Sequence, residues 1–130
     1  MSKENLERVE RSFRLYMETG ELDLDHLAED ADIYDHDIPE EGHYVGPAGF
    51  VQWLTDWAEA WESWRLDPEE FIDAGDKILI VFRLKARGRA SGIEIDRRDA
   101  LVYSLRGDTI VRADYFNSRE QGIQAAGLAV

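Results

Sequence analysis

"DALVYSLRGDTIVRADYFNSRE", residues 99–120, is the stretch on which the fold turns. Two runs rich in β-branched and aromatic residues flank Gly107-Asp108, a pair suited to a two-residue type II′ hairpin turn. With that turn, Tyr103 pairs with Arg112, Leu101 with Asp114, and Asp99 with Phe116. Strand alternation then gathers Asp99, Leu101, Tyr103, Ile110, Arg112, Asp114 and Phe116 on one face. The opposite face carries Ala100, Val102, Val111, Ala113 and Tyr115. Left exposed, that second face would be an unusually large apolar patch, so it predicts a homodimer. Ser118 is a good cap for a short terminal helix.

Outward from this hairpin, strand-like runs cover 65–73, 77–87, 93–105 and 109–117, with "AGD" at 74–76 as another turn. The N-terminal half reads differently. Leu6, Val9, Phe13, Tyr16 and Met17 fall on one helical stripe over 3–19, and Gly20 stops it. "LDLDHLAED" (22–30) fits a second helix capped by Asp23, with His26 at the surface. "ADIYDHD" (31–37) alternates like a strand, and Pro39–Gly42 reads as loop. "GPAGFVQWLTDWAEAWESW" (46–64) is the clearest helix, with Phe50, Trp53, Leu54, Trp57 and Trp61 on its apolar face. Helices first and strands last predict an α+β fold rather than parallel βαβ units. The expected architecture is a curved, mostly antiparallel sheet wrapped around the N-terminal helices, a cone with one pocket, in a single domain over 1–130.

Composition narrows the function classes. The 130 residues carry a formal charge of −13. Such a surface repels nucleic acid and anionic membranes, so neither is expected as a partner. The absence of cysteine excludes disulfides and thiolate metal sites and fits a reducing, cytoplasmic compartment. The charged N-terminus lacks the apolar core of a signal peptide, and no apolar run reaches bilayer length. The spacing of His36, His43 and the nearby acids matches no zinc motif, so no metal site is predicted, and no cofactor either. Four tryptophans, five tyrosines and five phenylalanines instead point to a large internal apolar feature and a hydrophobic small-molecule ligand.

The pieces "DHDIPEEGHYVGPAGFVQWLTDW", "EEFIDAGDKILIVFRLKARGRASG" and "VRADYFNSREQGIQAAGL" resemble the SnoaL-like polyketide cyclase branch of the nuclear transport factor two-like cone superfamily. The last piece also resembles the final strand of limonene epoxide hydrolase, and ketosteroid isomerase shares the fold. The resemblance implies that Asp114 matches a catalytic aspartate pointing into the cone. It also implies that the end of the first strand, Asp35 or His36 on opposite faces, stands where ketosteroid isomerase carries its base. Arg83 matches an arginine of the hydrolase pattern, but Lys85 stands where that pattern needs a second carboxylate, which argues against epoxide opening. Arg83 is a candidate counter-charge to Asp114, although alternation leaves open which face of its strand looks inward.

The candidate catalytic residues are thus Asp114, His36, Asp35 and Arg83. Candidate ligand contacts are Tyr34, His43, Tyr44, Trp53, Trp57, Asp99, Leu101, Tyr103, Arg112 and Phe116. Two readings compete. One is cofactor-independent acid/base chemistry (aldol cyclisation, isomerisation or dehydration) on a hydrophobic carbonyl or polyketide-like compound. The other is a non-catalytic binding or dimerisation module of the same fold.

Overall fold

The computed structural model describes residues 2–37 and 42–128. Pro39, Glu40 and Glu41 of the expected loop lie outside these. In chain order the elements are α1 (Ser2–Thr19), β1 (Leu27–Asp35), β2 (Gly42–Val45), α2 (Gly46–Glu59), β3 (Trp61–Asp73), β4 (Lys77–Gly88), β5 (Glu94–Arg106), β6 (Thr109–Phe116) and α3 (Arg119–Ala125). The strands form one sheet in the order β2-β1-β6-β5-β4-β3. All neighbours are antiparallel except β1 and β6, which run parallel. The fold class is α+β, as the order of elements predicted.

One face of the sheet curves around α1 and α2. Ile33, Leu66, Ile78, Ile80, Phe82, Leu84, Leu101, Ala113 and Tyr115 form a core there with Val9, Phe50 and Trp53. The other face is covered in part by α3, where Ile123 and Ala126 pack on Leu79, Val81, Ala100 and Val102. Ser118 caps α3, its side chain accepting the Gln121 N–H at 3.3 Å.

The sheet departs from simple alternation at one position. Leu105 pairs with Ile110 and Arg106 with Thr109, as a turn at Gly107-Asp108 requires, and Gly107 has the positive φ of 63° that a II′ turn needs first. Ser104 then pairs with Arg112, leaving Val111 without an opposite residue. This extra residue is a β-bulge, and a one-residue slip reverses every side chain beyond it. Tyr103 therefore pairs with Ala113, Leu101 with Tyr115, and Val102 with Asp114. Ala113 and Tyr115 turn inward; Arg112, Asp114 and Phe116 turn outward. The expected apolar outer face is lost twice over, since two of its residues are in the core and Ala100 and Val102 lie under α3.

Two helix expectations are also corrected. Residues 22–30 form no helix: the Asp23 carboxylate accepts the Asp25 N–H, Leu27 N–H bonds to Leu24 O, and β1 begins at Leu27. Pairing with β6, including Ile110 N–H to His26 O at 2.7 Å, overrides the local helical pattern. The tryptophan helix stops at Glu59, so Trp61 lies in β3 with Trp64. Arg89 holds the helix end, donating to Glu59 O at 3.0 Å and Trp61 O at 3.1 Å, where a cation complements the helix dipole. Among the described residues no helix is long and apolar enough to cross a membrane.

Candidate functional site

Between α1, α2 and the concave sheet lies a cavity of about 90 Å³, several times the roughly 15 Å³ one water requires. Its wall is mostly apolar and rich in rings: Phe13, Tyr16, Phe50, Trp53, Trp57, Phe82, Tyr103 and Tyr115, with Leu54, Leu66 and Leu101 between them. Polar lining is confined to a few groups, among them Arg8, Ser12, Asp23 and His26. The tryptophans arise from α2 because Trp53 and Trp57 share its inward stripe. Trp57 meets Trp61 and Trp64 edge-on, at centroid distances of 6.0 and 5.2 Å.

Behind this wall lies a buried polar network. Asp35, 4% exposed, ends β1 facing inward. It accepts the Trp53 indole N–H at 2.9 Å and the Asp37 backbone N–H at 2.9 Å. Burial pushes its carboxyl above the usual value of 3.8, despite both hydrogen bonds. Asp99, fully buried, accepts the Tyr115 hydroxyl hydrogen and Arg97 Nε at 2.7 Å. Burial raises Asp99 too, although Arg97 and Tyr115 oppose the shift. Arg97 also bonds Asp37. Burial works against the Arg97 charge, but Asp99 and Asp37 more than offset it, so Arg97 stays charged. The Tyr115 hydroxyl is pushed well up by burial and by Asp99, which makes it a hydrogen-bond donor rather than a base. Tyr103 is raised by burial alone.

The structure separates the sequence-derived candidates. Asp35, Trp53, Trp57, Asp99, Leu101 and Tyr103 belong to the interior. Asp35 and His36 face opposite ways, and Asp35 is the inward one. Asp114, Arg112, Phe116, His36, Tyr34 and His43 sit on the outer face of the sheet. The bulge at Val111 is the reason for the first three; alternation along β1 and its pairing with β2 account for Tyr34 and His43. There Arg112 bonds Asp114 at 2.8 and 3.0 Å, and His36 Nε2 lies 2.8 Å from Asp114 Oδ1. Burial alone would raise Asp114, but Arg112 and His36 outweigh it and hold the carboxyl below 3.8. His36 stacks on Phe116 at 4.6 Å, Tyr34 on His43 at 4.5 Å, and Arg112 lies over the Tyr34 ring. Arg83 also points outward, bonded to Asp96 at 2.7 and 2.9 Å, because Phe82 and Leu84 take the inward positions of β4. It is no counter-charge to Asp114. Tyr44 is tied to Asp56 at 3.0 Å beside α2.

Tyr115, Arg97, Asp37 and His26 were not singled out as site residues. The Arg97/Asp99 spacing of two along one strand is the available signal for Arg97. Nothing local announces Tyr115, whose direction depends on the bulge. Among the described residues no group of three or more metal-ligating side chains is placed to hold an ion.

A curved sheet closed by helices around an aromatic cavity is a cone fold, the fold also of solved nuclear transport factor two-like proteins. The SnoaL-like domain family matches residues 9–113, most of the chain, which therefore belongs to that family. No curated protein matches the sequence. Similar solved structures include TerC co-crystallised with polyporic acid, at 16% identity, TM-score 0.69, covering 95% of this chain and 98% of that one. A nuclear transport factor two-like protein of unknown function from Burkholderia pseudomallei has 17% identity and TM-score 0.70, covering 92% and 95%. A hypothetical protein with a ketosteroid isomerase-like fold from Catenulispora acidiphila, in complex with trimethylamine, has 18% identity and TM-score 0.62, covering 81% and 79%.

Proposed function

We propose that this cone binds a small, largely apolar carbonyl compound and moves a proton next to the carbonyl, with Asp35 as base and the Tyr115–Asp99 pair as the electrostatic partner of the developing enolate. The observation that carries this reading is the pairing of two buried, raised carboxyls with two aromatic donors, Trp53 and Tyr115, that line the cavity. Titratable groups shifted by burial cluster at functional sites, and here two lie directly behind the cavity wall. An apolar wall strengthens each such interaction by excluding water. Isomerisation, aldol cyclisation and dehydration all begin with this proton transfer. The family supports small-molecule chemistry of this kind, and two neighbours of the same fold were crystallised with small organic molecules.

One observation favours a binding module instead. The Asp35 and Asp99 oxygens already hold protein donors, and among the described residues the only carboxylate lining the cavity itself is Asp23. On that reading the network merely props the wall. A homodimer is not needed for either reading, and one formed through the sheet's outer face would bury the His36–Asp114–Arg112 row rather than an aliphatic patch.

Exchange of the α-protons of 2-tetralone in D₂O, followed by proton NMR, separates the two. The enzyme reading predicts acceleration by the native protein and a loss of roughly two to four orders of magnitude in Asp35→Asn. No acceleration, or equal acceleration by the variant, would leave only the binding module.

A further inference from the structure

The cavity has a cationic lip. Arg8, Ser12 and Asp23 line both the cavity and an open groove that continues along α1 past Arg11 and Arg14. Residues 8, 11 and 12 are spaced three and four apart, so they share one helical face. Arg8 donates to Asn5 Oδ1 at 3.1 Å and to the Asp108 carbonyl at 2.6 Å, both neutral acceptors. Arg11 is exposed and makes no ion pair with any described residue. Eight of the twelve arginines hold a carboxylate; Arg89 and Arg106 are the other two that, among the described residues, do not. Arg65, Arg83, Arg97, Arg112 and Arg119 each hold a carboxylate, in a chain where 28 acids outnumber 15 bases. Two arginines left without carboxylates at the mouth of the one aromatic cavity described are a local exception to the acidic surface.

We infer that the ligand is an amphiphile: an apolar ring system in the cone and a single carboxylate at the lip, held by Arg8, Arg11 and the Ser12 hydroxyl. This rests on the cone being the ligand site and adds the class of compound that enters it. A guanidinium fork matches a carboxylate in two parallel hydrogen bonds. Against a surface of net charge −13, a local cationic lip also gives an anion an entrance it would otherwise lack. The carboxylates of the groove leave the position open. Glu18 is seven residues beyond Arg11, about 10 Å along the helix at roughly 1.5 Å per residue. Asp23 shares the lip as one carboxylate beside two arginines; it pairs with neither, and one of its oxygens accepts the Asp25 N–H.

Calorimetric titration with cinnamate and with its neutral counterpart cinnamamide tests this. The native protein should bind cinnamate about tenfold or more tightly than cinnamamide, the scale of one charge-assisted hydrogen bond. Arg11→Gln removes an exposed side chain that the fold does not use. It should shrink that preference with cinnamamide binding unchanged, and Arg8→Gln with Arg11→Gln should bring the ratio of the two affinities to one. High salt should weaken cinnamate only. Leu101→Trp, which fills the cavity, should abolish both ligands. Equal affinities in the native protein, or a cinnamate preference surviving the double variant, would overturn the carboxylate lip while leaving the pocket in place. Binding of neither compound, or binding that survives Leu101→Trp, would overturn the pocket reading and this one with it.

Discussion

At the residue scale, three aspartates on neighbouring strands are held in opposite ways. Asp114 has a depressed pKa, so its ion pairing contributes stability above pH 3.8, its ordinary value, and loses it as pH falls through the folded value. Asp114→Asn should therefore cost about 1–2 kcal/mol at neutral pH, a figure discounted because Arg112 is half exposed. Thermal unfolding at pH 7 and pH 3 reads this: the gap between native and variant should close at the acid end. Ligand binding should be unchanged, because Asp114 faces away from the cavity. Asp35 and Asp99 carry the reverse sign. Their raised pKa values give stability that is complete below 3.8 and is lost as pH rises through their folded values. Asp35→Asn should then gain stability relative to the native protein as pH rises from 4 to 7. A denaturation series showing the opposite trend would mean that the Trp53 and Asp37 hydrogen bonds outweigh desolvation.

At the scale of elements, the bulge and α3 decide what each strand shows to the cavity. Much was legible in the sequence. The β5–β6 hairpin, the α2 stripe of Trp53 and Trp57, and the capping Ser118 all follow from local chemistry. The direction of Asp114 did not, because an inserted residue at Val111 leaves no mark in an alternating run of Val, Ala, Tyr and Phe, yet it exchanges Asp114 for Tyr115 on the inner wall. The helix expected at 22–30 failed for a related reason, since strand pairing is made at long range and outweighs spacing. Docking of α3 gives a direct test at this scale. Gly122 packs against Ala100, where an added Cβ would collide with the Ala100 Cβ and sit 3.0 Å from Leu79 Cδ1. Gly122→Ala should cost roughly 1–3 kcal/mol by overpacking, measured by urea denaturation. An unchanged midpoint would show that α3 does not pack on the sheet as described.

For the whole molecule, charge and cavity set the terms. A net −13 repels itself in the folded state. Sodium chloride up to about 0.5 M should raise the melting temperature, since screening at a Debye length of a few ångströms relieves more repulsion than it removes attraction. A fall in melting temperature with salt would mean that ion pairs such as Arg119–Glu70 and Arg98–Glu69 dominate instead. The cone itself joins an apolar aromatic wall to a buried acid network, and the proposed proton transfer depends on that junction. The measurement that tests it most directly is a carbon-13 NMR titration of the Asp35 carboxyl, with and without 2-tetralone. The expected result is a midpoint above the ordinary 3.8 that moves when the ligand enters. A midpoint at or below 3.8, untouched by ligand, would contradict Asp35 as the base and leave the cone a binding site alone.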